Sequence, residues 1–303
     1  MDGLVRAPAF SLRQLLYFVT VAEAGTIREA AARLHVTESA VSVAITELER
    51  AMRVRLCVRR RALGVTLTPS GVSTLRRAKV LLRQAGELAA EASGGPGALV
   101  GPLAVGCYPS LGPTTMPGLL SGFAERHPAV MVDFAEHTQE ELCRRLIGGE
   151  LDLVITYDLE LPAELQRIEL HSRRPYVLLA RDHPLAATAL DLTALEPEPM
   201  VLLDAPPSSY HALRICADAG IRPVIRYRTA NFETARALVG RGLGWTLLVS
   251  RPELDFTYEG LGVVRVDPAR PVLEPVRAVL AWSEDTALSP RAREFIRFAA
   301  SLS

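Results

Sequence analysis

A short run of small residues and proline, Ser93-Gly94-Gly95-Pro96-Gly97, divides this 303-residue sequence into two parts of different periodicity. Glycine and proline at such density end a helix and mark a domain boundary. Before the run, apolar residues recur every three or four positions, which is typical of helices. After it, short apolar segments alternate with helical ones, which is typical of an α/β domain. The run therefore predicts a helical head and an α/β body, in line with the two domains expected at this length.

Helix-turn-helix organisation is predicted for the residues up to Met52. A first helix from Leu12 stops at Gly25, and a second begins at the capping-box sequence Thr26-Ile27-Arg28-Glu29. A third runs from about Glu38, after a tight turn. This order is typical of a DNA-reading head, although any three-helix bundle would also fit it.

The third helix has a buried stripe, Val41, Ile45 and Leu48, and a face of small or polar residues. Its predicted N-cap is Thr37, and a cap at a helix N-terminus is compatible with a phosphate contact. The candidate DNA contacts on this helix are Thr37, Glu38, Ser39, Ser42, Val43 and Thr46.

Three consecutive arginines, Arg59, Arg60 and Arg61, begin a predicted hairpin that ends near Thr68. A run of charged residues is usually just a solvent-exposed surface. This run, however, comes directly after the third helix, where the wing of a winged helix-turn-helix would reach the DNA backbone. Near the start of the second helix, Thr26 and Arg28 are further candidates for backbone contact.

A long helix is predicted from Thr68-Pro69 to about Ser93. Its apolar positions alternate three and four residues apart: Leu75, Ala78, Leu82, Ala85, Ala89 and Ala92. A single buried helix would also show one stripe, but a seam of this length on a linker helix favours a partner helix, so we expect a dimer.

The body is predicted to contain strands that alternate with helices. The strands are Leu103–Cys107, Met131–Ala135, Asp152–Thr156, Tyr176–Ala180, Met200–Leu203, Val224–Arg228, Trp245–Val249 and Arg277–Trp282. The helices lie near Thr114–Arg126, Thr138–Gly148, Tyr210–Ala219, Phe232–Gly240 and Pro290–Leu302. Open sheets of this kind bind ligands beyond the carboxyl ends of their strands.

Charge and composition narrow the function classes. Residues 1–97 carry 14 Lys and Arg against 8 Asp and Glu, whereas the remainder carries 20 against 26, so a basic head favours a nucleic-acid partner. No apolar stretch has the length of a membrane span or signal peptide, and we expect a cytoplasmic protein with no membrane partner. The four cysteines lack metal-ligand spacing, so we expect reduced thiols, no metal and no cofactor. Because hydrolase, Walker and dinucleotide motifs are missing, we do not expect an enzyme.

Together these segments resemble the LysR-type transcriptional regulators over essentially the whole chain. The matching segments of the head are 15–19, 26–34, 38–42, Ile45, 48–49 and 67–71, and those of the body are 123–128, 142–149, 151–155 and 239–245. The resemblance implies a sequence-specific DNA-binding transcription regulator that forms a homodimer or homotetramer. Its implied partners are double-stranded promoter DNA, a small-molecule effector of anionic or polar character, and RNA polymerase.

The resemblance also implies a domain organisation. Residues 1–68 would form a winged helix-turn-helix, 69–97 a dimerisation helix and hinge, and 98–303 a two-lobed, periplasmic-binding-protein-like effector domain. The first lobe would span about 98–165 and 270–303 and the second about 166–269, with crossing strands near Gln166–Leu170 and Val263–Val266. The fold class is thus α/β with an N-terminal all-α winged helix-turn-helix.

Ten residues match positions that line the effector cleft in this family. They are Ser110, Thr138, Gln139, Thr156, Tyr157, Thr229, Asn231, Phe232, Trp245 and Thr246. Hydroxyls beside free helix amides would suit a carboxylate or another small anion. For Thr138, a capping box with Glu141 would explain the residue equally well.

The sequence departs from the family pattern on the recognition helix, where Glu38 and Val43 replace the usual Gln and Arg. Arg53 stands in place of a helix-ending Gly and Cys57 in place of a Phe. A carboxylate repels phosphate but can accept a hydrogen bond from cytosine, and valine can touch a thymine methyl. Two other functions explain less of the chain. A solute-binding protein would not need the basic head, and an architectural DNA binder without a ligand would not need the α/β body.

Overall fold

The computed structural model of the chain describes residues 7–60, 64–93, 99–187, 189–284 and 288–302. The chain forms two units: the first comprises Met1–Ala98 and Gly148–Glu150, and the larger second comprises Leu99–Ile147 and Leu151–Ser303. The described part of the first unit is helical apart from one hairpin, and the second alternates strands and helices, as predicted. Within the described ranges, no helix combines the length and the apolar character needed to cross a membrane.

Three short helices open the first unit: α1 (Leu12–Ala24), α2 (Ile27–Leu34) and α3 (Glu38–Met52). Each begins after a residue whose side-chain oxygen accepts a hydrogen bond from an amide three positions later. These caps are Ser11, Thr26 and Thr37. They satisfy amides that have no partner within the helix, and they place the helix starts where the sequence predicts them.

A two-stranded hairpin follows α3. β1 (Cys57–Arg60) pairs antiparallel with β2 (Gly64–Leu67). The hairpin is held by Glu49 of α3, whose carboxylate accepts hydrogen bonds from the backbone amides of Leu56 and Cys57 at 2.7 and 3.0 Å. A side chain of the third helix thus fixes where the wing begins.

The long helix α4 (Pro69–Ser93) has the predicted bounds, but the first half of its predicted dimer seam packs within its own chain. Leu75, Ala78 and Leu82 pack against the core of the three short helices in the same chain. Ala78 is only 1% exposed, so the first half of the seam is not open to a second chain. In the second half of the helix, Leu81 and Leu88 are 44% and 70% exposed.

The second unit contains ten strands and five α-helices among its described residues. The strands are β3 (Gly101–Cys107), β4 (Val130–Glu136), β5 (Leu153–Tyr157), β6 (Leu165–Arg173), β7 (Tyr176–Ala180), β8 (Pro199–Leu203), β9 (Val224–Thr229), β10 (Thr246–Leu248), β11 (Val263–Val266) and β12 (Val276–Ser283). The helices are α5 (Gly112–Arg126), α6 (Gln139–Ile147), α7 (Ser208–Asp218), α8 (Phe232–Gly240) and α9 (Pro290–Ala300).

The first lobe is built on a five-stranded sheet of order β4-β3-β5-β12-β6. β3, β4 and β5 are parallel, and β12 runs antiparallel to both of its neighbours. Helices α5, α6 and α9 contribute Phe123, Leu142 and Phe295 to the core of this lobe. Helices on a largely parallel sheet are the arrangement that the alternating pattern predicts.

The second lobe has a sheet of the same size. β10, β7 and β11 form an antiparallel set, and β8 pairs parallel with β9. The amide of Val201 donates to the carbonyl of Trp245 at 2.8 Å, and the amide of Trp245 donates to the carbonyl of Pro199 at 3.0 Å. These bonds join β8 to the start of β10, so the order across the lobe is β9-β8-β10-β7-β11.

β6 belongs wholly to the first lobe. It pairs with β12 from Leu165 to Arg173, and Leu165 and Leu170 pack in the first lobe's core. The prediction of a crossing strand near Gln166–Leu170, with a lobe boundary at 165, is therefore wrong. The chain passes from the first lobe to the second at Arg174-Pro175. Pro175 cannot continue the hydrogen-bond ladder of β6 because it lacks an amide hydrogen.

The return crossing is also displaced from its predicted place. Val263–Val266 is β11, which pairs with β7 inside the second lobe and is not a hinge. Leu273 packs in the core of the second lobe, so this lobe extends beyond the predicted limit of 269. The chain returns to the first lobe at Glu274-Pro275, directly before β12.

Candidate nucleic-acid interface and interlobe cavity

Helix α3 presents one face to the core of the first unit and another to solvent. Val41, Ile45 and Leu48 are at most 2% exposed, which confirms the predicted stripe. The predicted contact residues other than the half-buried Ser42 are exposed: Thr37, Glu38, Ser39, Val43 and Thr46. Val43 is 56% exposed, and an apolar side chain on this surface can contact a thymine methyl group.

Hydroxyl groups on this face already form hydrogen bonds within the chain, and those of Thr37 and Ser39 lie 3.0 Å apart. The Thr37 hydroxyl accepts the Ala40 amide at 3.2 Å, and the Thr46 hydroxyl donates to the Ser42 carbonyl at 2.9 Å. A hydroxyl oxygen has two lone pairs, so the Thr46 hydroxyl, which donates in this bond, can still accept a hydrogen bond from a base amino group.

The start of α2 offers a second set of groups. Thr26 accepts a hydrogen bond from the amide of Glu29 at 3.1 Å. The reciprocal half of the predicted capping box is not formed, because the Glu29 carboxylate pairs with Arg33 one turn later. Arg28 is exposed, as a residue that contacts the DNA backbone must be.

The wing lies beside the start of α2. The amide of Val65 donates to the carbonyl of Gly25 at 2.7 Å. Gly64 has a φ of +80°, and a Cβ there would stand 2.4 Å from the Gly25 oxygen, so only glycine fits. β1 carries Arg59 and Arg60, and the third predicted arginine, Arg61, lies outside the described residues.

A cavity of about 290 Å³ lies between the two lobes of the second unit. Its wall is built from segments that follow β3, β4, β8, β9 and β10, which agrees with the expectation of a site beyond the carboxyl ends of strands. Three of the predicted effector contacts line it: Ser110, Asn231 and Phe232.

The other predicted effector contacts of the first lobe do not line this cavity. Thr156 and Gln139 are buried partners, since the Thr156 hydroxyl donates to the Gln139 amide oxygen at 2.6 Å and the Gln139 amide donates to the carbonyl of Leu159, also at 2.6 Å. Tyr157 is 1% exposed and stands behind Ser110, with their hydroxyl oxygens 3.4 Å apart. These side chains support the wall.

Thr138 is exposed and lies outside the cavity wall. It accepts a hydrogen bond from the amide of Glu141 at 3.4 Å. The Glu141 carboxylate pairs with Arg144, so again only half of a capping box is formed. The capping explanation accounts for this threonine.

In the second lobe, Thr229, Trp245 and Thr246 are also absent from the cavity wall, as far as the described residues define it. The Thr229 hydroxyl accepts the amide of Asn231 at 3.2 Å and so shapes the start of α8. Trp245 is fully buried, and its indole nitrogen donates to the carbonyl of Glu198 at 3.2 Å. Thr246 is likewise fully buried, on β10.

Most residues of the wall were not predicted from the sequence, and four of them, Tyr108, Glu136, Ser250 and Tyr258, bring polar groups to it. Glu136 ends β4, and an acidic residue directly after a predicted strand is a signal that could have identified it. Tyr258 lies in a stretch without regular periodicity, so no sequence pattern placed it at the cavity.

The charged side chains of the wall are acidic, which is not what a site for an anionic effector would require. Its ionisable side chains other than tyrosine are Glu136 and Glu233, and none of the described wall residues is Lys, Arg or His. Glu233 is neutralised by the buried Arg236, whose Nε donates to it at 2.8 Å, and it also accepts the amide of Tyr258 at 2.9 Å. Burial raises the pKa of the Tyr108 phenol, which therefore stays protonated at neutral pH.

The described residues hold no cluster of three or more His, Cys, Asp or Glu that could bind a metal ion. None of the four cysteines forms a disulfide bond with another described residue, and Cys57, Cys107 and Cys216 are buried. Burial raises the pKa of the Cys107 and Cys143 thiols and raises that of Cys216 to about 11. Protonated thiols are weak nucleophiles at neutral pH.

Family models match both units of the chain. Residues 12–72 match the bacterial regulatory helix-turn-helix of the lysR family, and residues 96–302 match the LysR substrate binding domain.

Similar proteins span both units or the second alone. The C-terminal domain of a probable LysR family regulator from Rhodococcus sp. RHA1 is 52% identical over 67% of this chain and all of its own, with a TM-score of 0.66. HinK, a LysR family regulator from Pseudomonas aeruginosa, is 34% identical over 97% of this chain and 99% of its own, with a TM-score of 0.64. A probable hydrogen peroxide-inducible genes activator from Mycobacterium avium is 32% identical over 84% of this chain and 83% of its own.

Proposed function

The chain belongs to the LysR family of DNA-binding transcription regulators, and we propose that it reads operator DNA with α3 and senses a small molecule in the interlobe cavity. The observation that carries the first part is the exposed face of α3, which sits on a buried stripe and presents small, polar and apolar side chains. Such a face fits the major groove, where base edges differ in donors, acceptors and methyl groups.

The residues that we propose for contacts with the DNA backbone lie on the same unit as α3. Thr26 lies next to the hairpin whose first strand holds Arg59 and Arg60, and Arg28 follows it in the first turn of α2. Arginine contacts to phosphates would fix the register of α3 without reading sequence. Ser42, Val43 and Thr46 would then supply the base contacts.

Dimerisation would use the second half of α4. Leu81, Ala85 and Leu88 follow each other at spacings of four and three residues and therefore share one face of the helix. Two chains paired there would present two α3 helices to successive major grooves, about 10 base pairs apart.

The effector would act by holding the two lobes in one arrangement. A molecule that contacts both walls of the cavity favours the closed arrangement over the open one, and coupling of this kind amounts to about 1–3 kcal/mol. The change would alter how dimers associate on DNA and how they contact RNA polymerase.

Hydrogen peroxide is named as the inducing signal of the Mycobacterium avium relative, but the thiols of this chain do not favour that signal here. Peroxide reacts with exposed thiolates, whereas Cys107 and Cys216 are buried, and burial raises the pKa of both thiols and of the half-buried Cys143. A ligand in the cavity is therefore the better-supported stimulus.

Selection of bound duplexes from a random DNA pool tests the proposal. We expect the full-length protein to enrich a two-fold symmetric site with half-sites about 10 base pairs apart. Val43→Ala should relax the preference at one or two positions, and Val72→Ala, a change at a similarly exposed valine on α4, should not. Enrichment of no common sequence would contradict sequence-specific reading by α3.

A further inference from the structure

We propose that the ligand of the interlobe cavity carries a protonated amine, which pairs with the carboxylate of Glu136. The inference rests on the proposed function only in taking this cavity as the effector site. It replaces the anionic or polar effector expected from the sequence with a cationic one.

The helix terminus that would attract an anion is closed on the first-lobe side. The amides of Leu111 and Gly112 donate to the carbonyl of Tyr108, those of Thr114 and Thr115 donate to the carbonyl of Leu111, and Pro113 has no amide hydrogen. The first turn of α5 therefore has no amide left for a ligand carboxylate, in contrast to a typical anion site at a helix N-terminus.

A carboxylate of the chain already occupies that position. The Glu136 Oε1 atom lies 2.0 Å from where a Cβ on Gly112 would stand, so the carboxylate rests directly on the first residue of α5. The positive end of the helix dipole stabilises this negative charge. A second anion brought here would meet like-charge repulsion.

Glu136 is the carboxylate of the wall that has no cationic partner among the described residues. Glu233 on the opposite wall is paired with Arg236, which is 2% exposed. No Lys, Arg or His within the described ranges forms an ion pair with Glu136, and its side chain is exposed within the cavity wall. A ligand ammonium group would supply the missing charge and form a charge-assisted hydrogen bond.

The rest of the wall suits the body of an organic amine. Ser250 is 6% exposed, and its hydroxyl forms no hydrogen bond with another described residue, so it is available to a ligand. Tyr108 and Phe232 add aromatic surface, which attracts cations as well as apolar groups. The volume of about 290 Å³ lies at the lower end of ligand pockets, so the molecule is small.

Calorimetric titration of the full-length protein tests the assignment with matched probes. The amines are butylamine, putrescine and 2-phenylethylamine, and each is compared with a carboxylic acid and an alcohol of the same carbon skeleton. We expect at least one amine to bind and its acid not to bind. Glu136→Gln should weaken the amine about 10- to 100-fold, the loss typical of a hydrogen bond to a charged group.

Two further variants complete the experiment. Glu125→Gln removes an exposed carboxylate from the far end of α5 and should leave amine binding unchanged. Gly112→Ala should weaken it, because the new Cβ displaces the Glu136 carboxylate. Binding of the acids instead of the amines, binding of neither class, or amine binding that survives Glu136→Gln would overturn the proposal. Operator binding by the ligand-free protein tests the DNA-reading role separately.

Discussion

The hydroxyl of Tyr108 donates a hydrogen bond to the backbone carbonyl of Ala205 across the interlobe cleft, at 2.6 Å. Tyr108 follows β3 of the first lobe and Ala205 follows β8 of the second, so a single side chain connects the ends of two sheets. The same hydroxyl lies 3.0 Å from that of Ser208 at the start of α7. Besides the two chain crossings, this hydrogen bond is a direct link between the two walls of the cavity.

Tyr108→Phe should loosen the lobes without altering the chain's surface charge. The change removes the hydrogen bonds of this hydroxyl with Ala205 and Ser208, so we expect a loss of about 1 kcal/mol in the free energy of unfolding. In thermal unfolding this corresponds to a decrease in Tm of about 2–4 °C for a unit of this size. Tyr210→Phe, at a tyrosine that is 60% exposed, is the matched control. An unchanged Tm in the Tyr108 variant would contradict the bridging role.

Glu233→Ala should destabilise the second lobe strongly. Arg236 donates to Glu233 and to the carbonyls of Leu254 and Phe256, which ties the start of α8 to the segment that carries Tyr258. Removal of the carboxylate leaves a buried guanidinium without its counter-ion, at a cost of about 3 kcal/mol. Urea unfolding of both proteins measures the difference, and a loss below about 1 kcal/mol would show that the pair is not structurally important.

Arg28→Ala should weaken binding to every DNA sequence by a similar factor. A residue that contacts phosphate releases counterions and carries no sequence information, so its loss reduces the slope of log K against log salt by about one. Arg33→Ala is the control, because Arg33 pairs with Glu29 on the same helix. Equal slopes for the wild type and Arg28→Ala in a salt titration would remove Arg28 from the interface.

Cys216 should make stability depend on pH in the alkaline range. Its pKa is about 11 in the folded chain against an ordinary value of 9.0, so its contribution is fully present below pH 9. Between pH 9 and 11 the unfolded chain loses the thiol proton while the folded chain keeps it, and the free energy of unfolding falls. The decrease should be smaller in Cys216→Ala, measured by urea unfolding at pH 8, 9, 10 and 11. Parallel curves would contradict a buried, protonated thiol.

The helical head could be predicted from sequence because its signals are local. Thr26, Thr37 and Thr68 each cap the helix that follows, and cap geometry depends on only a few neighbouring residues. The packing partner of the apolar stripe on α4 was harder to predict. A stripe such as Leu75 and Ala78 has the same spacing whether it faces its own chain or a partner.

The location of the cavity could be predicted from the sequence, but only some of its lining residues could. The carboxyl ends of strands identified Ser110, Asn231 and Phe232, yet Trp245 and Thr156 lie equally close to strand ends and point into the structure. The direction of a side chain depends on the register and twist of its strand, which periodicity does not specify. The contact of Glu136 with Gly112 joins residues from two elements, and no local pattern encodes it.

Competition binding tests the central claim most directly. The full-length protein is titrated onto the DNA upstream of its own gene, with excess nonspecific DNA, across a salt series. We predict tight binding that outcompetes the nonspecific DNA and weakens steeply as salt rises, because arginine–phosphate contacts contribute much of the affinity. Affinity no greater than that for the competitor, there and at neighbouring promoters, would contradict a regulator that reads DNA through α3.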